Sequence, residues 1–478
     1  MIALLMQSCF LLFLPTLKVR DKYKIKDTMV IDKIQNLVDK LEPKIVSYRR
    51  DFHKHAEIGW LEYRTASLVG ARMRDLGYRV DAGPAVINAE ARTGLPAEKD
   101  FQSAWQRAAN QGADPEFLQV VKDGFTGVVG TITTGNGPII ALRFDMDALP
   151  IQESQSEAHR PYREGFASIN ANNDHACGHD SHTATGLGIA EILMSLQEDF
   201  SGTVKLIFQP AEEGVRGARS MVASGVVDDV DYLLGHHVYT SWAIGEVISG
   251  LGGYSATQKF DAIIRGAAAH AGGNPQGGKN ALLAASTAVL NLYAIPRHNG
   301  GATRINVGQL FAGSGRNVIC AEARMVIETR GATDELSDYM HQKALQVLDA
   351  AARMYDCTLE VIPMGSAPSA SSDQVLSKRV EDVGARIGNL TFLPPAHSGG
   401  SEDFTYMMKR VQERGGQAAN IGIGARFQSA NSKVSNGRGK ALMSHTPEFD
   451  FDERAIKIAM TLLSATVMDI FNNAKGAG

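Results

Sequence analysis

The chain has 478 residues, 44% hydrophobic and 21% charged, with 48 glycines. This is the composition of a globular, enzyme-sized protein and excludes a coil, a fibre or a disordered tail. At roughly 100–200 residues per domain it holds two or three domains, and two is the expectation. The 48 basic residues nearly balance 52 acidic ones, for a net charge of −4 spread without like-charge blocks. That balance argues against nucleic acid and anionic membrane surfaces as partners. Four cysteines, Cys9, Cys177, Cys320 and Cys357, are too few and too scattered for a disulfide framework and suggest a reducing, cytoplasmic setting.

Residues Ile2–Leu17 are apolar apart from a short polar break at Gln7 and Ser8. No basic residue precedes this run, no convincing small-residue cleavage site follows it, and it is shorter than the ~20 residues that span a bilayer. A secretory signal is one reading; the preferred one is an extension, 1–28, ahead of a fold that opens at Met29. From there Val30, Ile34, Leu37, Val38 and Leu41 share one helical face. A helix over Thr65–Leu76 and a strand near Tyr78–Val80 lead into a polar, Ala-rich segment, 88–124, whose helical pattern reads as an insertion. Three short apolar runs, Ile139–Phe144, Val204–Phe208 and Tyr232–Leu234, are separated by helical stretches such as Thr183–Leu196. They predict the buried strands of a mostly parallel, open α/β sheet. Each is followed by a polar cluster: Asp145-Met146-Asp147, then Pro210-Ala211-Glu212-Glu213-Gly214, then His236-His237. Loops at the carboxyl ends of such strands build active sites, so the three clusters should converge.

From Tyr254 the rhythm becomes strand (Lys259–Arg265), helix (Ala281–Ile295), strands (Arg304–Leu310 and Ala323–Thr329), helix (Glu335–Tyr355) and strand (Thr358–Pro363). This β-α-β-β-α-β order predicts a smaller ferredoxin-like domain over 254–366. Over 367–478 the α/β style resumes, with apolar Ala419–Ile423 and a last helix from Glu453. The larger domain, 29–253 with 367–478, is therefore expected to be discontinuous in sequence.

The densest polar cluster is Asp174-His175-Ala176-Cys177-Gly178-His179-Asp180-Ser181-His182, three imidazoles and a thiol just ahead of a helix. Cys177 and His179 flank a glycine and can turn toward one point, and thiolate with imidazole is a good donor pair for a first-row transition metal. The competing reading of Cys177 is a core thiol. His175 and His182 are expected behind the ligands. Adjacent carboxylates after a strand diverge, so Glu212 and Glu213 should not share one task. One can bind metal while the other takes a proton from water, the division that metal-assisted hydrolysis needs. Taken alone, the pair would be a solvated acidic turn. Of His236 and His237, strand alternation lets only one face the cleft, and His445 in Ser444-His445-Thr446-Pro447 adds a distant imidazole. A Cys, three His and a Glu exceed the four ligands of a closed zinc site, which suggests two ions sharing a bridge.

The chain resembles the di-metal aminoacylase and carboxypeptidase-G-type amidohydrolases, in the branch of hippurate and indole-acetyl-amino-acid hydrolases. Five segments carry the resemblance: Arg143-Phe144-Asp145-Met146-Asp147-Ala148-Leu149-Pro150, His175-Ala176-Cys177-Gly178-His179-Asp180, Phe208-Gln209-Pro210-Ala211-Glu212-Glu213-Gly214, Ala269-His270-Ala271 and Gly400-Ser401-Glu402-Asp403-Phe404. It covers essentially everything from Met29 onward. It implies that Cys177, His179, Glu213, His237 and His445 bind two divalent ions, zinc or manganese, with Cys177 as the bridge and Glu212 as general base. It implies that Asp147 orients a ligand, that His270 reaches a neighbouring subunit's site to steady the oxyanion, and that Asn317 and Arg330 bind the substrate's amide and carboxylate. The smaller domain then acts as lid and dimerisation unit of a homodimer, to which a homologous second subunit can be added. The implied reaction is hydrolysis of an N-acyl amino acid, with p-aminobenzoyl-glutamate the expected substrate and N-acetyl or other aromatic-acyl amino acids the alternatives. Ser444 departs from the pattern, where relatives carry a second His, so the choice of His445 rests on its distance from Phe449-Asp450. Two rival readings stand beside this one: a thiol hydrolase with Cys177 as nucleophile beside His179, and a non-catalytic subunit whose metal site is structural.

Overall fold

The computed structural model describes residues 14–395, 400–428 and 442–474. Residues 1–13, which hold most of the apolar run and Cys9, lie outside them. The first helix, Leu14–Lys54, starts ahead of Met29, and its Ile31, Ile34, Val38, Ile45 and Phe52 are buried as the periodicity requires. The helix Tyr63–Asp75, strand β1 (Arg79–Ala82), the helices Glu98–Asn110 and Pro115–Val120, and strand β2 (Val128–Thr133) follow. Next come β3 (Ile139–Asp145), the helix His179–Ser195, β4 (Thr203–Gln209), β5 (Tyr232–Ala243) and β6 (Glu246–Ile248). Strands β7 (Ala256–Arg265), β8 (Thr303–Ala312), β9 (Glu322–Gly331) and β10 (Thr358–Ala367) then alternate with the helices Ala281–Tyr293 and Asp334–Met354 in the predicted β-α-β-β-α-β order. The chain closes with the helix Gln374–Ile387, β11 (Thr391–Phe392), the helix Phe404–Glu413, β12 (Gln417–Arg426) and the helix Arg454–Ala474.

Among the described residues eight strands form one sheet in the order β1-β2-β4-β3-β5-β12-β6-β11. Its centre, β4-β3-β5-β12, is parallel, while β1, β2 and β6 pair antiparallel. A parallel sheet must be covered on both faces, and alternation does this here. Ile140, Leu142 and Phe144 of β3 join a core with Ile34, Leu187 and Ile456 from three helices, whereas Ala141, Ile207 and Leu233 turn to the other face against Phe404 and Met407. Among the described residues one helix, Arg454–Ala474, is long and apolar enough to cross a membrane, but 83% of its apolar window is buried inside the fold. It is a core helix.

The second sheet is antiparallel, in the order β10-β7-β9-β8. Its Phe260, Ala262, Ile264, Met325 and Ile327 pack on Ala284, Ala288, Met340 and Leu348 of the two helices, a core separate from that of the large sheet. The two sheets meet where β10 lies against the loop after β4. Ser366 N donates to Val215 O at 2.9 Å, and a Cβ on Gly365 would collide with Gly214 O.

Two elements differ from the sequence reading in ways that matter for the site. The helix expected at Thr183 begins at His179, capped by Gly178 in the left-handed region (φ 91°), so His179 rides on its first turn. Strand β5 does not stop at Leu234. It continues because β12 keeps pairing with it, Ile421 opposite His236 and Gly422 opposite His237, and both histidines therefore lie within the strand.

Candidate active site

The adjacency of β4, β3 and β5 brings the three polar clusters to one end of the sheet, with the Cys177 loop between them. Gly178 explains how that loop approaches. Besides its positive φ, a Cβ there would meet Val238 Cγ2 at 2.6 Å, so only glycine lets Cys177 and His179 lie against β5. Cys177 Sγ then stands 3.5 Å from His237 Nε2. His237 Nδ1 donates to Val238 O at 2.7 Å, which places the proton on Nδ1 and leaves the Nε2 lone pair facing the thiol. Burial and the neighbouring His182 push His237 down to about 3, so it is neutral and fit to be a ligand. His236 points to the opposite face, edge-on to Phe144, as strand alternation requires.

The loop after β4 is held by carboxylates. Asp147 accepts Glu212 N at 3.0 Å and Glu213 N at 2.9 Å, and buried Glu62 accepts Ala211 N at 2.8 Å. Asp403 accepts Gly217 N and Ala218 N at 2.9 and 2.8 Å. These anchors sustain two left-handed residues that lack glycine's freedom, Ala211 (φ 51°) and the β-branched Val215 (φ 60°). Such strain persists only where the surroundings impose it, and it aims the two glutamates apart. His445, also left-handed (φ 63°), is tied down by its N–H to Ala176 O at 2.8 Å, and its Nε2 lies 3.4 Å from Glu213 Oε1.

The result is a set of overlapping donor groups. The donor atoms of Cys177, His179 and His237 lie within 4.8 Å of one another, as do those of Cys177, Glu213 and His445, and those of His179, Glu212 and Glu213. Cys177 belongs to two of the three. Both ring nitrogens of His179 and Glu213 Oε1 are buried without a hydrogen-bond partner, a costly state that a coordinated cation relieves. Thiolate, imidazoles and carboxylate together fit first-row divalent ions. Burial, then the charges of Glu402 and Glu213, push the Glu212 carboxyl well above the usual range. Desolvation and the Glu213 charge push the Cys177 thiol up to about 12. A thiol nucleophile needs the opposite shift, whereas a bound cation would supply the missing positive charge.

Beneath the donors lies a second layer, in which the sequence already placed His182 and Asp147 and held Arg143 only as part of a motif. His182 Nδ1 is 2.5 Å from Asp145 Oδ1 and its Nε2 accepts Val238 N at 3.2 Å, tying the Cys177 helix to β3 and β5. Arg143, buried, donates to Asp145 at 2.6 Å and to Glu402 at 3.1 Å. Asp147 Oδ1 lies 3.4 Å from His179 Nδ1, so the aspartate expected to orient one ligand also fixes both glutamates. Only its position two residues after Asp145 hinted at this. His175 is buried with neither ring nitrogen bonded.

The remaining expected residues lie outside the donor groups, Arg330 on the small sheet and His270 and Asn317 in loops beside it. His270 is exposed and pairs through its backbone with Val318, while Ala271 N donates to Asn317 O at 3.0 Å, which places His270 and Asn317 side by side. His270 Nδ1 accepts from Gly272 N and Gly273 N at 3.1 and 2.9 Å. Arg330, on β9, donates to Glu328 at 2.9 Å.

The sequence signature of peptidase family M20/M25/M40 matches residues 141–469. The chain belongs to this family. It is 44% identical to a p-aminobenzoyl-glutamate hydrolase subunit of Escherichia coli, over 92% of this chain and 98% of that one. It is 43% identical to an indole-3-acetyl-aspartic acid hydrolase of Enterobacter agglomerans, over 91% and 98%. The crystal structure of an aminobenzoyl-glutamate utilization protein from Klebsiella pneumoniae superposes with a TM-score of 0.77 at 38% identity, covering 91% of this chain and 98% of that one. A dinuclear metal-binding M20 peptidase from Bacillus subtilis shares the fold, with a TM-score of 0.61 at 23% identity over 91% of this chain and 99% of that one. The M20 family is one of hydrolases, and this member carries a mostly parallel sheet with a separate antiparallel sheet, as the sequence predicts.

Proposed function

We propose that this M20 hydrolase cleaves p-aminobenzoyl-glutamate to p-aminobenzoate and glutamate. The observation that carries the chemistry is the sharing of Cys177 between two donor groups with Glu212 beside them. Cys177, His179, Glu213, His237 and His445 would hold two divalent ions, zinc or manganese, Cys177 being the residue that belongs to two of the donor groups. When bound, such a pair polarises the amide carbonyl and acidifies water. The Glu212 carboxylate takes the proton of the attacking water and delivers it to the amide nitrogen. One C–O bond forms, the C–N bond breaks, and acid and amine leave without any covalent enzyme intermediate. Segment 254–366 serves as lid and dimerisation unit, and His270 reaches the neighbouring subunit's site. Because Nδ1 of His270 accepts two backbone N–H groups, its proton sits on Nε2, the form able to donate to an oxyanion. Asn317 binds the substrate amide. Arg330 takes a substrate carboxylate, for which its planar fork is better suited than lysine.

Support for the substrate comes from the relatives: the acyl amino acids in their names share an aromatic acyl group and an acidic amino acid. The test is a panel of p-aminobenzoyl-glutamate, indole-3-acetyl-aspartate, hippurate and N-acetyl-glutamate, assayed on the purified chain with zinc and manganese in turn. The expected outcome is a kcat/KM for p-aminobenzoyl-glutamate at least tenfold above the others. A preference for indole-3-acetyl-aspartate, or activity that appears only with a second subunit, would overturn it.

A further inference from the structure

A second convergence of donors lies behind the Cys177 loop and takes no part in the chemistry above. His53 comes from the end of the first helix, Glu153 and His159 from the segment after β3, and Asp174 from the stretch just before Cys177, where its backbone is bridged to Leu149. All four side chains are buried. His53 Nε2 is 3.0 Å from Glu153 Oε1, and His159 Nε2 is 2.8 Å from the same oxygen. The donor atoms of His53, Glu153 and Asp174 lie within 4.8 Å of one another.

Two details separate this cluster from an ordinary ion-pair network. His53 Nδ1 stands 2.8 Å from Asp180 Oδ2 and Nε2 faces Glu153, so an imidazole that gave up its Nε2 proton to a cation would keep its Nδ1–H on the carboxylate behind it. A carboxylate behind one ring nitrogen with the other aimed at anionic oxygen is how metal-bound imidazoles are supported. Second, both carboxylate oxygens of Asp174 are buried without any hydrogen-bond partner, His53 Nε2 being 3.8 Å away. Protons on the two imidazoles would satisfy Glu153 and Asp180 and still leave Asp174 unpaired. Arg49, whose Nε is 2.7 Å from Asp180, is shared with Asp450 and Glu453 and cannot also serve Asp174. A dication among His53, Glu153 and Asp174 would pair Asp174, with His159, 2.8 Å from Glu153, the nearest fourth donor.

We propose that His53, His159, Glu153 and Asp174 bind a third divalent cation of the zinc class, structural and separate from the pair at Cys177. Two imidazoles and two carboxylates would give the ion four protein ligands and leave no open position, as structural sites do. His159 also lines a cleft of about 560 Å³ with Arg160 and Asp450, which gives the ion an entry path. The ion ties together three segments remote in sequence and fixes Asp174, three residues before Cys177, so that the loop carrying Cys177 and His179 starts from an anchored point.

The experiment counts metal on the full chain. Protein is loaded with Zn²⁺, freed of loose ions by gel filtration, and assayed by plasma mass spectrometry. Cys177→Ala/Glu213→Ala removes a donor from each group at the active site; this chain should retain one equivalent. Adding His159→Gln and Asp174→Asn to it should remove that equivalent while the circular dichroism and elution volume stay unchanged. Loaded with Co²⁺, the two-substitution chain should show d–d absorption without thiolate charge transfer, and chelator should lower its melting temperature. No retained ion in Cys177→Ala/Glu213→Ala, or an ion that survives the two further substitutions, would overturn the proposal. Should the four-substitution chain fail to fold, X-ray absorption of the zinc-loaded two-substitution chain decides: a first shell of two imidazoles with oxygen supports the site, and any other imidazole count refutes it.

Discussion

Asp147 is the most exposing place to test how the site is held. Its two oxygens accept the N–H groups of Glu212 and Glu213, and one of them lies beside His179 Nδ1. Asp147→Asn keeps one acceptor but turns an NH₂ toward the other backbone N–H, so a charge-assisted bond is lost and a buried donor is left unpaired. At about 1–3 kcal/mol for an unsatisfied buried group, and somewhat more when the lost partner was charged, the variant should be destabilised by about 2–4 kcal/mol. Asp147→Ala, which strands both donors, should lose more. Activity should fall further than stability, because releasing the two left-handed residues at 211 and 215 lets Glu212 and Glu213 drift, and misplacement by ~1 Å costs on the order of 10²-fold. Loss of the carboxylate behind His179 should weaken metal binding ~10–100-fold. The assay is urea unfolding of the metal-free chain, alongside kcat and metal titration at saturating substrate. Unfolding of Asp147→Asn within about 0.5 kcal/mol of wild type, or equivalence of the Asn and Ala variants, would show that Asp147 does not anchor the loop. An untouched kcat with lowered stability would show that the carboxylate supports the fold and not the glutamates.

Glu212→Gln should keep full metal content and lose ~10²-fold or more in kcat, because the amide cannot accept the water's proton; normal turnover with both ions bound would end the general-base assignment. Mixing an inactive His270→Ala chain with an inactive Glu212→Gln chain should restore activity if His270 acts across a dimer, and no recovery, or an active His270→Ala chain, would rule that out. Gly365→Ala should cost about 1–3 kcal/mol, the usual range for overpacking, and lower kcat as well, because its Cβ would press on Gly214 O, next to Glu213; an unperturbed melt would show that β10 can shift freely. Burial raises the Glu453 carboxyl, but the hydrogen bond from Arg50 and the charges of Arg49 and Arg160 outweigh it and bring it down to about 2 from 4.5. A lowered carboxylate contributes stability that is present above its unfolded value and disappears as pH falls toward 2, here of order 3 kcal/mol; Glu453→Gln should therefore flatten the acid limb of stability between about pH 5 and 2, and an unchanged slope would refute the linkage.

Much of this protein is written in local pattern. The β-α-β-β-α-β order of 254–366, the strands at Ile139, Val204 and Tyr232, and the polar residues after them follow from periodicity, because each strand or helix must present its own apolar face whatever its neighbours do. The identity of the donors is also local: a thiol and imidazoles around Gly178 are chemically legible before any fold is known. What local pattern left open was decided by partners distant in sequence. Strand β5 runs on through His236 and His237 because β12, almost two hundred residues later, supplies its hydrogen bonds, and that register selects His237 over His236. Glu212 and Glu213 diverge because Asp147 and Glu62 hold their loop in a strained form no propensity would choose. Likewise His53, Glu153 and His159 carry no signal of their own in the sequence, Asp174 stands out only as the edge of the Cys177 cluster, and the four are spread over more than a hundred positions. Only the packing of the first helix against the segments flanking the Cys177 loop brings their charges within reach of one another, since Coulomb and coordination forces act over a few ångströms of space and not along the chain.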